Sequence, residues 1–332
     1  MSAESEQTLG LWEAAGRVLE HDLDAHIARL NLEAARISYE KSMAANLLTN
    51  SAYDRRAAEA SLRSAELNFS NQQADLVAGA IRSYIGLLSS QLTVSIREAR
   101  LEVAELNLES TRRKAEMGTA SRLDLLDAQA QVETALLNLR QAEAQLVRDR
   151  ESFAASIGLT PDMLPPLEED LPIPQVEIEL EEAIEKALAL SASVVGARSS
   201  VELARLERER ALAEGVAPLD QRAAELNVRR AELELERALR TVRRSVESAF
   251  NEVERTRAAL EVEEVQLTAA TERHALLVQQ FEAGLRTRAE LINSEISLAE
   301  AKMRRLNALA AYYDALLAFK KLTGESLDGD GR

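Results

Sequence analysis

Two stretches of this chain are one stretch written twice. Residues 118–158 read GTASRLDLLDAQAQVETALLNLRQAEAQLVRDRESFAASIG, and residues 284–324 read GLRTRAELINSEISLAEAKMRRLNALAAYYDALLAFKKLTG. Both are bounded by glycines at the same spacing, and the copies lie 166 residues apart without a gap. Each reads as a tight turn, a helix and a glycine stop, because glycine accepts the positive φ that turns and helix ends demand. A repeat of this length means a duplicated structural unit.

Composition narrows what that unit is. Apolar residues make up 46% of the 332, but aromatics only 3%, and glycine and proline number just 12 and 6. Alanine and leucine mixed with glutamate, arginine and glutamine describe long packed helices rather than a deep globular core. The formal net charge of −16 repels phosphate backbones, which disfavours nucleic acid as a partner. The absence of cysteine removes disulfides, thiolate metal sites and cysteine nucleophiles. No apolar run approaches the ~18 residues of a membrane-spanning helix. The opening MSAESEQTLG has neither a basic segment nor an apolar one, so no signal peptide is expected in this chain.

Residues 8–48 read as one helix, with Leu11, Ala15, Val18, Leu23, Ile27, Leu30, Ala34 and Ile37 spaced mostly by three or four. The polar break TNSAYD follows, where Asp54 is the expected N-cap. A long helix over 55–116 then spans roughly 90 Å. Its heptad line of Ala80, Leu87, Val94, Leu101 and Leu108 predicts a left-handed coiled coil. Gly118 breaks it, and Ser121 is placed to cap a third helix over 122–157.

Residues 158–177 hold five of the six prolines and read as an extended joint. The organisation is therefore a first repeat over 1–158, a Pro-rich linker over 159–177 and a second repeat over 178–332. The second repeat brings helices at 178–213 and 221–283 and a heptad line through Leu239, Val246, Val253, Leu260 and Leu267. The first helices also match, LWEAAGRVL with LEEAIEKAL, but at an offset of 169, so the first half carries three extra residues near its first break. The expected fold is all-α: six helices in two tandem repeats of long antiparallel coiled-coil rods, four rods in all. A slab of Ala-rich rods cannot enclose a core alone and needs neighbours, most simply in a symmetric ring.

At the two tips, EMGTASRLDLLDAQAQ and EAGLRTRAELINSEIS, the chain resembles the TolC-like outer-membrane efflux channel family. The resemblance covers nearly the whole chain, since the duplication, the helix plan and the Pro-rich joint agree with it. It implies a homotrimeric α-helical tunnel, an α-barrel, in the periplasm. The tunnel's tips dock a periplasmic adaptor and, through it, an inner-membrane transporter. Gly118, Thr119, Ala120 and Ser121, with Gly284, Leu285, Arg286 and Thr287, would be the docking turns. Asp124, Asp127, Glu290 and Asn293 would line the pore mouth as its gate, although Asn293 departs from the acidic pattern. The family also inserts a pair of membrane strands between the first two helices of each half. Here those places hold only TNSAYD and GVAPLD, too short for strands of about nine to eleven residues. The chain alone is therefore not expected to form the outer-membrane pore. It reads as a natural barrel-less relative or as an engineered version with the barrel removed.

Simpler readings stand beside these. Asp124 and Asp127 are also acids of a helix's first turns, where they complement the macrodipole. His21, His26 and His274 make no ligand set, so no metal is expected, and no cofactor motif or catalytic constellation is present; no enzyme is expected. Trp12, Tyr312, Tyr313 and Phe319 read as packing near the joint. The first functional reading is a passive subunit of an exit tunnel for tripartite drug efflux or type I secretion. The alternative is a soluble coiled-coil scaffold on the same helical plan. A periplasmic adaptor fits less well, because adaptors carry β-rich domains.

Overall fold

A computed structural model describes residues 8–174 and 179–324. The expected start of the second repeat at Ile178 and the C-terminal tail lie outside the described residues. The described chain is all-α, with no strand in it. It contains eight α-helices: α1 (Leu11–His21), α2 (Leu23–Thr49), α3 (Ala52–Glu116), α4 (Arg122–Ser156), α5 (Leu180–Leu190), α6 (Ala192–Ala213), α7 (Pro218–Glu282) and α8 (Arg288–Thr323).

The count of six helices is corrected to eight, because the first helix of each half is interrupted. Asp22 is extended (φ −68, ψ 138), and its carboxylate accepts from the Asp24 N–H at 2.7 Å, capping a new helix. Ser191 is extended at the equivalent place (φ −61, ψ 122), with no side-chain cap. Both breaks follow an 11-residue helix and sit at the offset of 169 that relates the first helices. The first break also corrects the apolar stripe. Leu11, Ala15 and Val18 are buried, but beyond Asp22 the buried positions shift to Ala25 and Ala28. Leu23, Ile27, Leu30 and Ile37 face outward, 77, 52, 63 and 46% exposed.

The first long helix begins earlier than expected, and its cap is Ser51 rather than Asp54. The Ser51 hydroxyl accepts from the Asp54 N–H at 3.2 Å, which leaves Asp54 as an acid of the first turn. The preceding turn is held by Asn46, whose side chain accepts from the Ser51 N–H at 2.8 Å, and by Asn50 at φ 46. The second half makes the corresponding turn with Gly215 at φ 63. Here α6 has 22 residues against 27 in α2, while α3 and α7 have 65 each. The extra residues of the first half thus lie in α2. The linker is not wholly extended, since Pro161–Met163 make one 3-10 turn that a proline can start.

The chain divides into two compact units, each drawing on both repeats. The first comprises Met1–Ala15, Gly79–Ile173 and Arg255–Tyr313; the second comprises Gly16–Ala78, Pro174–Glu254 and Asp314–Arg332. In the first unit the linker lies beside the N-terminal segment. Leu9 bridges to Leu167, its N–H donating to the Pro166 carbonyl at 2.9 Å and its carbonyl accepting from the Glu168 N–H at 3.2 Å. The Tyr84 hydroxyl donates to the Leu9 and Glu168 carbonyls at 2.6 and 3.1 Å, and burial pushes its pKa up to about 12. The Tyr84 ring meets Phe153 edge-on at 5.9 Å. Trp12 meets Tyr313 at 6.1 Å, and the Tyr313 hydroxyl donates to the Pro172 carbonyl. In the second unit Phe250 packs on Phe319 at 6.5 Å, and Lys321 pairs with Asp75 at 2.7 Å. The aromatics therefore pack, as read. The second heptad line is buried through its centre, at Val246, Val253 and Leu260.

Candidate functional site at the two hairpin tips

The tips belong to the first unit. At the end of α3, Gly118 adopts φ 73, its N–H donates to the Ala115 carbonyl at 3.0 Å, and the Thr119 N–H reaches back to Lys114 at 2.8 Å. At the end of α7, Gly284 adopts φ 72, its N–H donates to Phe281 at 2.9 Å, and the Leu285 N–H reaches Gln280 at 2.9 Å. This is the same Schellman stop twice, and it satisfies helix-end carbonyls that would otherwise lack donors. The left-handed backbone is what requires glycine at these two positions.

Each tip then starts its next helix with a reciprocal cap. The Ser121 N–H donates to Asp124 Oδ2 at 2.7 Å, and the Asp124 N–H donates back to Ser121 Oγ at 3.1 Å. In the second tip the Thr287 N–H donates to Glu290 Oε2 at 2.8 Å, and the Glu290 N–H donates to Thr287 Oγ1 at 3.3 Å. These are capping boxes. Two of the four carboxylate or amide positions expected at a pore mouth, Asp124 and Glu290, are thus engaged in holding their own helix ends. Asp127 and Asn293 are exposed and lie outside the caps.

Hydrogen bonds from the Ser121 backbone and hydroxyl hold the Asp124 carboxyl below its ordinary value. The Thr287 backbone does the same to Glu290, helped by Arg286 and the Thr287 hydroxyl. A depressed carboxylate contributes stability that is present above the unfolded pKa and lost as pH falls through the folded one. Acidification from neutral pH into and below the ordinary carboxylate range, near ~4, is therefore expected to loosen both caps. The amide proton shifts of Ser121 and Thr287 should report it, moving below that range and staying flat above it. In S121A the Asp124 titration should move back toward its ordinary value.

The two tips differ in one respect that the spacing did not show. Arg286 donates from Nε to Gln280 on α7 and from Nη1 to Glu290 on α8, both at 2.9 Å, and so staples the turn. Its counterpart in the first tip is Ala120. The two hairpins also meet. Ile96 of α3 packs with Ile292 and Ile296 of α8, flanked by Val103, Leu106 and Met303. Arg100 pairs with Glu300 at 2.6 Å, and Arg288 pairs with Glu102 at 3.0 Å. These cross-hairpin arginines were not singled out from sequence. Their partners lie 200 and 186 residues away, beyond any local spacing rule. Apolar side chains crown the tips, with Met117 and Leu123 on the first and Leu285 on the second, 70, 66 and 75% exposed. Among the described residues no group of histidines and carboxylates could hold a metal ion, and no helix is long and apolar enough to cross a membrane.

Residues 52–159 match the family model described as outer membrane efflux protein. The chain is similar in structure to the outer membrane protein VceC of Vibrio cholerae, with 14% identity, a TM-score of 0.62, and 95% of this chain and 96% of that one covered. The CmeC outer membrane channel of Campylobacter jejuni is 10% identical, with a TM-score of 0.63 and coverage of 97% and 87%. The open-state MtrE outer membrane channel of Neisseria gonorrhoeae is 16% identical, with a TM-score of 0.54 and coverage of 100% and 95%. No curated protein matches. At these identities the structures establish the fold, which is that of an α-barrel channel subunit of TolC type. CmeC and MtrE are described as outer membrane channels.

Proposed function

We propose, from a chain whose residues 52–159 match the outer membrane efflux protein family and whose fold is that of its channel subunits, that it forms a trimeric helical exit tunnel. The tunnel is passive and sits in the periplasm or at the outer membrane. Its tips dock an adaptor that links it to an inner-membrane transporter in drug efflux or type I secretion. The observation that carries this reading is the outward stripe Leu23, Ile27, Leu30 and Ile37 on α2. One helix here has two apolar faces, and its own chain covers only the Ala25 and Ala28 face. A second apolar face on a rod fits a neighbouring rod of another copy. The exposed Met117 and Leu285 at the turns support docking in the same way. Sedimentation and end-on electron microscopy of the purified chain test the assembly. A hollow ring with threefold symmetry is expected; a monomeric or dimeric solid rod would move the reading to a coiled-coil scaffold.

Conduction then requires the hairpins to part at the mouth. The Arg100–Glu300 and Arg288–Glu102 pairs and the isoleucine cluster are what holds α3 to α8 there. Exposed pairs of this kind are each worth little, ~0.2–1 kcal/mol, which suits a closure that a docking partner must undo. The acidic gate is separable from the caps. D127N is expected to alter conductance or substrate leak with the helix ends unchanged, whereas D124N alters both. A D127N mouth indistinguishable from the parent would remove Asp127 from the gate.

A further inference from the structure

We propose that the pocket between the linker and helices α3, α7 and α8 binds a small zwitterion, an apolar chain with an ammonium group at one end and a carboxylate at the other. The pocket encloses about 300 Å³, at the small end of the roughly 300–1,000 Å³ usual for ligand sites. Four leucines supply its apolar lining: Leu88 and Leu92 one turn apart on α3, Leu267 on α7 and Leu306 on α8. Lys302 and Arg305 lie on the same face of α8 as Leu306 and line the pocket from that wall. Glu169 and Asp170 line it from the linker. All of these residues belong to the first compact unit, so the pocket is complete within one chain.

The linker acids are held in place by their neighbours. Leu167 and Leu171, on either side of them, are 8 and 2% exposed. Glu168 is fixed through its backbone, which meets the Leu9 carbonyl and the Tyr84 hydroxyl. The side chains of Glu169 and Asp170 are exposed and make no hydrogen bond or ion pair among the described residues, and neither does that of Lys302. Arg305 differs: its side chain is 17% exposed and lies 3.5 Å from Glu264 on α7. That charge is answered within the protein, which leaves Lys302 as the available cation. Carboxylates and an ammonium thus line one apolar pocket from different elements without neutralising each other. A ligand carrying both charges on an apolar body engages both ends at once, whereas a singly charged chain engages one. The helical plan does not require this arrangement. At the 166-residue offset the first copy has Leu136 and Leu139 where α8 has Lys302 and Arg305. The cationic wall is particular to the second copy, and the linker that faces it occurs once in the chain.

The test titrates the full chain with ω-aminooctanoate, octanoate, octylamine and octanol. Ligand-detected NMR reads affinity, and leucine methyl resonances of the labelled chain read location. The zwitterion is expected to bind most tightly, roughly five-fold better than either singly charged chain, with affinity falling as salt rises. Methyl shifts should centre on Leu88, Leu92, Leu267 and Leu306. K302Q should weaken ω-aminooctanoate and octanoate and leave octylamine unchanged, and K302R should restore both. E169Q D170N should weaken ω-aminooctanoate and octylamine and leave octanoate unchanged. The substituted side chains are exposed, so folding is retained, and circular dichroism checks it. A zwitterion that binds no better than octylamine or octanoate overturns the two-ended contact, and one that binds no better than octanol overturns recognition of charge altogether. Methyl shifts centred elsewhere, or affinities unchanged in both charge variants, overturn the site. Binding of none of the four chains overturns the pocket as a ligand site. None of these outcomes bears on the trimeric tunnel, which sedimentation and microscopy test.

Discussion

If the parent forms the proposed trimer, a chain carrying L30D and I37D is expected to sediment as a folded monomer under the same conditions. Leu30 and Ile37 are 63 and 46% exposed in the single chain, so aspartate there meets water and costs the monomer little. In an assembled ring the same positions lie between rods. Burying a leucine or isoleucine contributes about 1.5–3 kcal/mol each, and an unpaired buried carboxylate costs several kcal/mol more. The loss recurs at every subunit contact, so the ring should dissociate rather than weaken. Analytical ultracentrifugation reads the mass, and unchanged circular dichroism shows that α2 is intact. A trimer that survives both aspartates would move the interface off this stripe.

Y84A is expected to remove about 3–5 kcal/mol from the first unit. Tyr84 is fully buried against Phe153, which is 1% exposed, and its hydroxyl is the donor to the carbonyls of Leu9 and Glu168. Truncation leaves a cavity and two carbonyls without that donor, at the point where the N-terminal segment and the linker are held side by side. Y84F separates the terms. It keeps the ring and removes only the hydroxyl, at about 1–3 kcal/mol. Urea denaturation measures both, and Y84A with F153A should cost less than the two separately because the rings share one contact. The hydroxyl has a pH signature as well. Its pKa is raised from 10.0 to about 12, so its contribution is whole below pH 10 and is lost as pH rises through about 12. Y84F should lack that alkaline loss.

Most of the helical plan was legible because it rests on local rules. Glycine stops, the Ser121 cap, heptad lines and proline positions each act within a turn or two of the residue concerned. The interruption at Asp22 carries no glycine or proline, but it did leave a mark: from Val18 to Leu23 the apolar line steps five residues, off the face that steps of three and four keep. Leu23, Ile27 and Leu30 resume the three-four steps after it, and beyond the extended Asp22 they face outward. At the tips, the Gly-turn-cap geometry was legible and the electrostatics were not. Asp124 and Glu290 carried two readings at sequence level, and their cap partners three residues away were in plain view as S-R-L-D and T-R-A-E. Arg288 and Arg100 escaped notice because only the pairing of α3 with α8 brings glutamates to them.

The paired interruptions at Asp22 and Ser191 belong to the repeat itself. They occur after helices of equal length and at one offset, so a broken first helix is part of what the two halves share. Each half builds the joint differently: an aspartate that caps through its side chain in one, a serine that makes no such cap in the other, with α2 and α6 of different lengths. The place of the joint is common to both halves, and its chemistry is not.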